Sequence, residues 1–152
     1  MSIAAAPTAL CVRRDRYGQI VIVAECETRP HGFAWVAIDA RMHLYALYVH
    51  SQSGGRGIGT ALLATAEHLA SQRGVTRLFV AASRNAIGFY ARLGYAAERE
   101  FVLHHHDEQG AIALPMCKMS KPLGLVSGEE SGWVLRDWRL RSEVLTRGLN
   151  RA

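Results

Sequence analysis

A chain of 152 residues, 49% hydrophobic and 20% charged, has the size and balance of one globular domain with a sizeable core. Its formal charge of +5 suits a ligand carrying several phosphates. No Lys/Arg run with interleaved aromatics supports nucleic acid, and no apolar run reaches membrane-spanning length. Cys11, Cys26 and Cys117 are scattered without paired spacing, which excludes a disulfide scaffold and reads as reduced thiols of a cytoplasmic protein.

In chain order, residues 1–7 are expected to fray. They are apolar but lack the basic start and long apolar core of a signal peptide. Residues 10–16 are short and mixed, with a turn at Tyr17 and Gly18. Residues 19–26 are nearly all apolar and rich in β-branched side chains, a strand signature. Pro30 and Gly32 mark a turn over 28–32. Strands follow at 33–38 and 44–49, then a glycine-rich loop at 54–59. The spacing of Leu62, Leu63, Ala66 and Leu69 predicts a helix over 60–72, with Gly74 as its C′ residue. A strand over 76–82 leads to a short helix over 85–93, with Asn85 as N-cap and Gly94 closing it. Strands at 98–103 and 111–119 flank a turn at 106–110, and Pro115 marks an edge or a bulge. Three strands in a row and then helix and strand imply an α/β (α+β) fold, an antiparallel meander leading into a crossover. Past residue 124, residues 127–132 form a polar linker. Residues 133–149 read as a basic amphipathic helix, with Val134, Trp138, Leu145 and Leu149 near one face and Arg136, Arg139 and Arg147 elsewhere. The domain therefore spans 1–124 and the linker and helix 125–152. The helix covers exposed sheet surface, forms a dimer contact, or simply packs.

Strand, glycine loop and helix start together form an anion site. N–H groups of the first helical turn have no intrahelical partner, and the helix dipole adds positive potential. Gly55, Gly57 and Gly59 carry no Cβ, so a phosphate can approach the main chain, and Arg56 adds a charged donor. A nucleotide P-loop needs Lys where Thr60 stands, and a dinucleotide fingerprint needs Gly there. The ribose-binding acid is also missing after the next strand, at Ala81, Ala82 and Ser83. A plain tight turn remains the alternative reading of the loop alone.

Taken with the later run, the loop resembles the GNAT family of acyl-CoA-dependent N-acetyltransferases, over residues 19–123. That family's loop reads Gln/Arg-x-x-Gly-x-Gly/Ala, matched by Gly54, Gly55, Arg56, Gly57, Ile58 and Gly59 except at Gly54. Its second motif reads Asn-x-x-x-Phe-Tyr-x-x-x-Gly-Phe/Tyr, matched in order by Asn85, Phe89, Tyr90, Gly94 and Tyr95. The resemblance implies a mixed, mostly antiparallel sheet flanked by helices, with acetyl-CoA as donor and an amine as acceptor. It implies that the 44–49 strand splays from the 76–82 strand and that the backbone of Leu47, Tyr48 and Val49 holds the pantetheine and acyl carbonyl in the gap. Main-chain N–H groups from Gly54 through Thr60 would hold the pyrophosphate, and Asn85 would contact the cofactor or cap its helix. Tyr90 would be the general acid at the departing thiolate.

Two features depart from the family. Its first strand and helix pair are expected to be missing ahead of residue 19. The central strand also carries no acid, which leaves His43, Tyr45, Glu25, Glu98 and Glu100 as candidate bases. In the run from His104 to His106, Asp107 and Glu108, strand neighbours point to opposite faces, so only two histidines can converge. A solvated hairpin turn is expected there, an acceptor-site histidine is the alternative, and no metal is expected. No cysteine sits beside Tyr90 or the loop, which favours direct attack over a covalent acyl-enzyme. A non-catalytic acyl-CoA-binding or interaction module is the rival reading.

Overall fold

Along β2 (Gln19–Cys26) every second residue is buried: Ile20, Ile22, Ala24 and Cys26. The side chains between them are half exposed, so one face of this strand is core and the other is open. The computed structural model describes residues 9–14, 19–37, 43–124 and 135–137. Its other elements are β1 (Ala9–Arg14), β3 (Arg29–Ala37), β4 (His43–Val49), α1 (Ile58–Ser71), β5 (Arg77–Ser83), α2 (Ile87–Arg92), β6 (Ala96–Asp107), β7 (Gly110–Pro122) and β8 (Leu135–Asp137). They build one sheet in the order β6-β7-β5-β4-β3-β2-β1-β8. Only the β4–β5 and β1–β8 pairs are parallel, so the sheet is mixed and mostly antiparallel.

α1 carries Ala61, Leu62, Leu63, Ala66, Leu69 and Ala70 into the core. They join Ile20, Ile22, Ala34, Val36, Leu44, Leu78 and Val80 from β2 to β5 in one cluster. A fully buried leucine such as Leu62 contributes about 2 kcal/mol over an exposed one. Gly74, at φ +75°, follows the helix end, where a left-handed residue is favoured.

Several local readings change. Residues 10–16 hold β1, antiparallel to β2 from Ala9↔Glu25 to Arg14↔Ile20. A strand therefore does precede β2. Residues 15–18 alone join the two strands, and four residues cannot hold a helix pair. The turn after β2 is Glu27 and Thr28, with φ of +50° and +68°. These are the signs of a two-residue primed hairpin turn. β3 consequently starts at Arg29 and takes in Pro30 and Gly32. Pro30 sits beside the register shift at Ala24/Glu25, where a missing N–H is tolerated. Residues 84–86 form a 3-10 turn ahead of α2. Asn85 lies inside it and is not an N-cap, and no side chain caps α2.

His104, His105 and His106 belong to β6, and the turn is Glu108 and Gln109. Pro115 falls one residue past Ser83↔Met116, the last β5–β7 pair, so it stands on an edge on that side. Within the expected C-terminal helix, Leu135–Asp137 is a strand, parallel to β1. The rest of that helix, the 127–132 linker, residues 1–7 and the turn at Tyr17 and Gly18 lie outside the described residues. Among the described residues no helix is long and apolar enough to cross a membrane.

Candidate functional site

β4 holds the centre of the site because of how it is paired. On its β3 side, Trp35↔Ala46 is followed by Val36↔Leu44. Tyr45 is the extra residue of a bulge, which bends the strand. On its β5 side only His43↔Phe79 and Leu44↔Val80 are paired. Beyond that fork the two parallel strands part and leave a gap.

The backbone on the gap can be read from the ladder. His50 donates its N–H to the His31 carbonyl at 2.8 Å. Hydrogen-bonded pairs alternate along an antiparallel ladder, so Tyr48 also turns its main chain to β3. A Cβ built on Gly32 would lie 2.6 Å from the Tyr48 carbonyl oxygen, which agrees. Leu47 and Val49 therefore present N–H and C=O to the gap. Tyr48 does not; its side chain is exposed beside Phe33, ring centroids 5.9 Å apart.

The loop after β4 is anchored at its start. Nδ1 of His50 accepts from the Gln52 N–H at 3.2 Å, and the Ser53 N–H donates to the His50 carbonyl at 2.8 Å. Buried Ser53 also hydrogen-bonds Nδ1 of His31 through its hydroxyl, at 2.6 Å. Gly54 is extended. Gly55 and Gly57 both have φ +74°, and a Cβ on either would meet nothing within 4 Å. Glycine is required there by the backbone angle and not by crowding. Arg56 is half-buried between them.

α1 starts without a side-chain cap and without an acidic residue in its first turn. Its first ladder bond runs from the Ala61 N–H to the Gly57 carbonyl, 3.0 Å. The N–H groups of Ile58, Gly59 and Thr60 precede that ladder and form the positive end of the helix. Ile58 itself is buried and Thr60 exposed. Gly59 differs from the expectation of open phosphate access. A Cβ there would lie 3.3 Å from Phe89 Cζ and 3.6 Å from Val49 Cγ2. Its smallness lets α1, α2 and the end of β4 meet.

Tyr90, the neighbour of Phe89, is 6% exposed. Its ring makes edge contacts with Phe89 at 5.2 Å and Tyr95 at 5.5 Å. Its hydroxyl makes no hydrogen bond among the described residues. No buried polar side-chain atom among them lacks a partner, so the hydroxyl is not fully enclosed. Burial pushes its pKa up to about 12. Gly94, at φ +92°, turns the chain so that the Tyr95 N–H meets the Tyr90 carbonyl at 3.1 Å. The Tyr95 hydroxyl donates to Glu67 Oε1 at 3.1 Å. Lys121 Nζ lies 3.1 and 3.0 Å from the two Glu67 oxygens. Burial first, then the Glu67 charge and hydrogen bond, push the Tyr95 hydroxyl pKa far up.

Among the candidate bases, His43 stands at the fork, its ring 5.6 Å from Phe79 and 6.2 Å from Tyr45. Tyr45 is the bulge residue and is exposed. Glu98 accepts from the Ser120 hydroxyl at 2.7 Å and pairs with Lys118 at 3.2 Å. The Ser120 hydrogen bond above all, with Lys118 and Arg77, outweighs desolvation and holds its carboxyl below the usual range, which makes it a poor proton acceptor. Glu100 lies opposite Cys117 on the β6–β7 hairpin, and Glu25 lies two strands from β4. Asn85 is exposed in the 3-10 turn. Beside it, Arg84, Ile87, Phe101, Pro115 and Met116 help line a hollow of about 290 Å³. The three consecutive histidines are exposed on the hairpin, and among the described residues no group of three or more His, Cys, Asp or Glu could hold a metal. Glu67, Lys121, Ser53 and His31 carried no motif signal; only the fold brings each to its partner.

Residues 6–119 match the family described as Acetyltransferase (GNAT) domain. An uncharacterised N-acetyltransferase from Methanocaldococcus jannaschii is 35% identical over 102 residues, which is 60% of this chain and 44% of that protein. The crystal structure of a GCN5-related N-acetyltransferase from Rhodopseudomonas palustris superposes with a TM-score of 0.62 at 34% identity, over 69% of this chain and 62% of that one. The PaiA N-acetyltransferase from Thermoplasma acidophilum, in complex with coenzyme A, superposes with a TM-score of 0.55 at 20% identity, over 68% of this chain and 60% of that one. The last likeness is one of fold alone. The chain spans less than two thirds of the length of each of these relatives.

Proposed function

Because the chain belongs to the GNAT family of acetyltransferases, we propose that it moves an acetyl group from acetyl-CoA to a primary amine by direct attack in a ternary complex. One observation carries the reading. The unpaired edge of β4, with Leu47 and Val49 turned to the gap, leads straight into an uncapped helix start. An extended pantetheine can add to such an edge much as a strand would. The pyrophosphate then meets the N–H groups from Gly55 to Thr60. The Gly54 position contributes its main chain only, since it lacks the Gln or Arg side chain of the family motif.

A backbone N–H on the gap stabilises the oxyanion as the amine adds to the thioester carbonyl. Tyr90, on the helix packed against Gly59 and Val49 through Phe89, donates to the departing sulfur. The fold shared with a coenzyme A complex supports the choice of donor. For the base that takes the amine's proton, His43 stands in the last paired stretch at the fork and Tyr45 is the first β4 residue past it.

Calorimetric titration with acetyl-CoA tests this, with ATP and NAD as controls, followed by an amine screen read as free-thiol release. Binding of acetyl-CoA alone in the micromolar range, with amine-dependent thiol release, is the expected result. Binding without release for any amine would favour the non-catalytic module. No binding of acetyl-CoA would overturn the proposal.

A further inference from the structure

β6 forms one edge of the sheet, and among the described residues only β7 pairs with it. From Ala96 to Asp107 every residue except the half-covered Phe101 is exposed. The hairpin also outruns its support. The β5–β7 ladder ends at Ser83↔Met116, so residues 102–115 project as a two-stranded ribbon. One face of this ribbon is apolar. Phe101↔Met116, Leu103↔Leu114 and His105↔Ile112 lie on it, and Leu103, Leu114 and Ile112 are 46%, 43% and 51% exposed. A two-stranded ribbon is marginal by itself in water. A long edge strand with apolar residues and neither Lys nor Pro is open to pairing with a further strand.

We infer that β6 pairs antiparallel with β6 of a second copy of this chain, about a two-fold axis at Leu103. The turn sets which groups face the open edge. Asp107 and Gly110 flank a two-residue turn, so they are the hydrogen-bonded pair that closes it. Alternation then turns the main chain of Phe101, Leu103 and His105 to β7, and that of Glu100, Val102, His104 and His106 to the open edge. Pro115, opposite Val102, accordingly sits where the β6–β7 ladder asks for no N–H. The regular part of β6 runs from Arg99, past the register shift at Ala97/Arg99, to Asp107, and its middle residue is Leu103. With Leu103 on the axis, Val102 meets His104 and Glu100 meets His106 in hydrogen-bonded pairs. Phe101 meets His105, and Arg99 meets Asp107, an opposite-charge pair made twice by the symmetry. Leu103 faces its own copy, and the apolar faces of the two ribbons become one. A slide of two residues, the smallest that keeps each face, loses this fit. With Val102 on the axis Arg99 faces His105. With His104 on the axis Glu100 faces Glu108, and Asp107 faces Phe101. The strand is complementary to itself in one register, as a two-fold contact requires, which favours a second copy over an unrelated strand.

Sedimentation velocity of the full chain tests the inference, and a dimer at micromolar concentration is the expected result. His104→Pro removes an N–H that faces the open edge and takes none from the β6–β7 ladder. That variant should sediment as a monomer at the same concentration and keep the circular dichroism spectrum of the native chain. Cysteine linkage reads the register. On mild oxidation Leu103→Cys should give a dimer bridged through position 103, mapped by mass spectrometry, with the native chain as control for its three cysteines. His105→Cys should not bridge to itself, because the two copies of position 105 stand four residues apart along the pair, about 14 Å, beyond disulfide reach. A native chain that stays monomeric would overturn the inference. So would a dimer that His104→Pro leaves intact, or bridging of His105→Cys as fast as that of Leu103→Cys. Should His104→Pro not fold, the two cysteine variants decide by themselves.

Discussion

At the scale of single residues, Tyr90 shows what burial does to a candidate acid. With its pKa pushed up to about 12, the hydroxyl keeps its proton across the neutral range. A thiol, with a reference pKa of about 8.5, is the stronger acid. In the proposed reaction, full transfer from Tyr90 to the departing sulfur would therefore be uphill, and the hydroxyl would act first as a hydrogen-bond donor to developing thiolate charge. Tyr90→Phe keeps the ring contacts to Phe89 and Tyr95 and removes only that donor. The hydroxyl has no hydrogen-bond partner to orphan among the described residues, so stability should change little. In the proposed reaction kcat should fall by about 10²-fold, the scale of one lost transition-state donor, while the dissociation constant for acetyl-CoA stays the same. Thiol-release kinetics beside calorimetry measure both. An unchanged kcat would remove Tyr90 from the chemistry.

At the scale of elements, the sequence marks what is regular and hides what is irregular. β2 was legible to the residue because its run from Ile20 to Val23 is wholly apolar and β-branched. α1 was legible from its apolar spacing, within two residues at its start. The β2–β3 turn was not, since Glu27 and Thr28 adopt positive φ without the Gly or Asn that announces it. Pro30 and Gly32 gave a turn signal in its place. The bulge at Tyr45 left no mark, because nothing in the run from His43 to Val49 distinguishes the doubled residue. The gap beside it depends on where β5 and β7 sit, and only the family resemblance suggested it. Gly32 has its own reason to be glycine: the main chain of β4 passes too close for a Cβ. Gly32→Ala must push β3 from β4 beside Val49, with no flexible side chain to give way. It should destabilise the protein by about 2 kcal/mol, as overpacking does, and weaken acetyl-CoA binding. Urea melts and calorimetry check this, and native-like stability would show that the strands part without strain.

At the scale of the whole molecule, the site is tied to the core through its tyrosines. Glu67 of α1 holds Tyr95 after α2 and Lys121 of β7, so one carboxylate joins three parts of the chain. Glu67 and Lys121 are 54 positions apart, which is why the sequence showed Tyr95 as a motif residue and never its partners. This arrangement has a consequence in alkali. Tyr90 and Tyr95 both titrate above the usual tyrosine value in the folded state, Tyr90 at about 12 and Tyr95 higher. In the unfolded chain each titrates near 10. Below about pH 10 both states hold both protons, and the stability associated with these groups is fully present. Between about pH 10 and 12 the unfolded chain releases protons that the fold keeps, so stability falls as pH rises. Each group contributes a slope of up to about 1.4 kcal/mol per pH unit, and the two together about 2.7. Tyr90→Phe should remove about half of that slope and leave stability at pH 8 nearly unchanged. Urea denaturation of both proteins at several pH values from 8 to 11.5 measures the difference. If the two curves stay parallel above pH 10, Tyr90 ionises as freely in the fold as in the unfolded chain, and burial does not hold its proton.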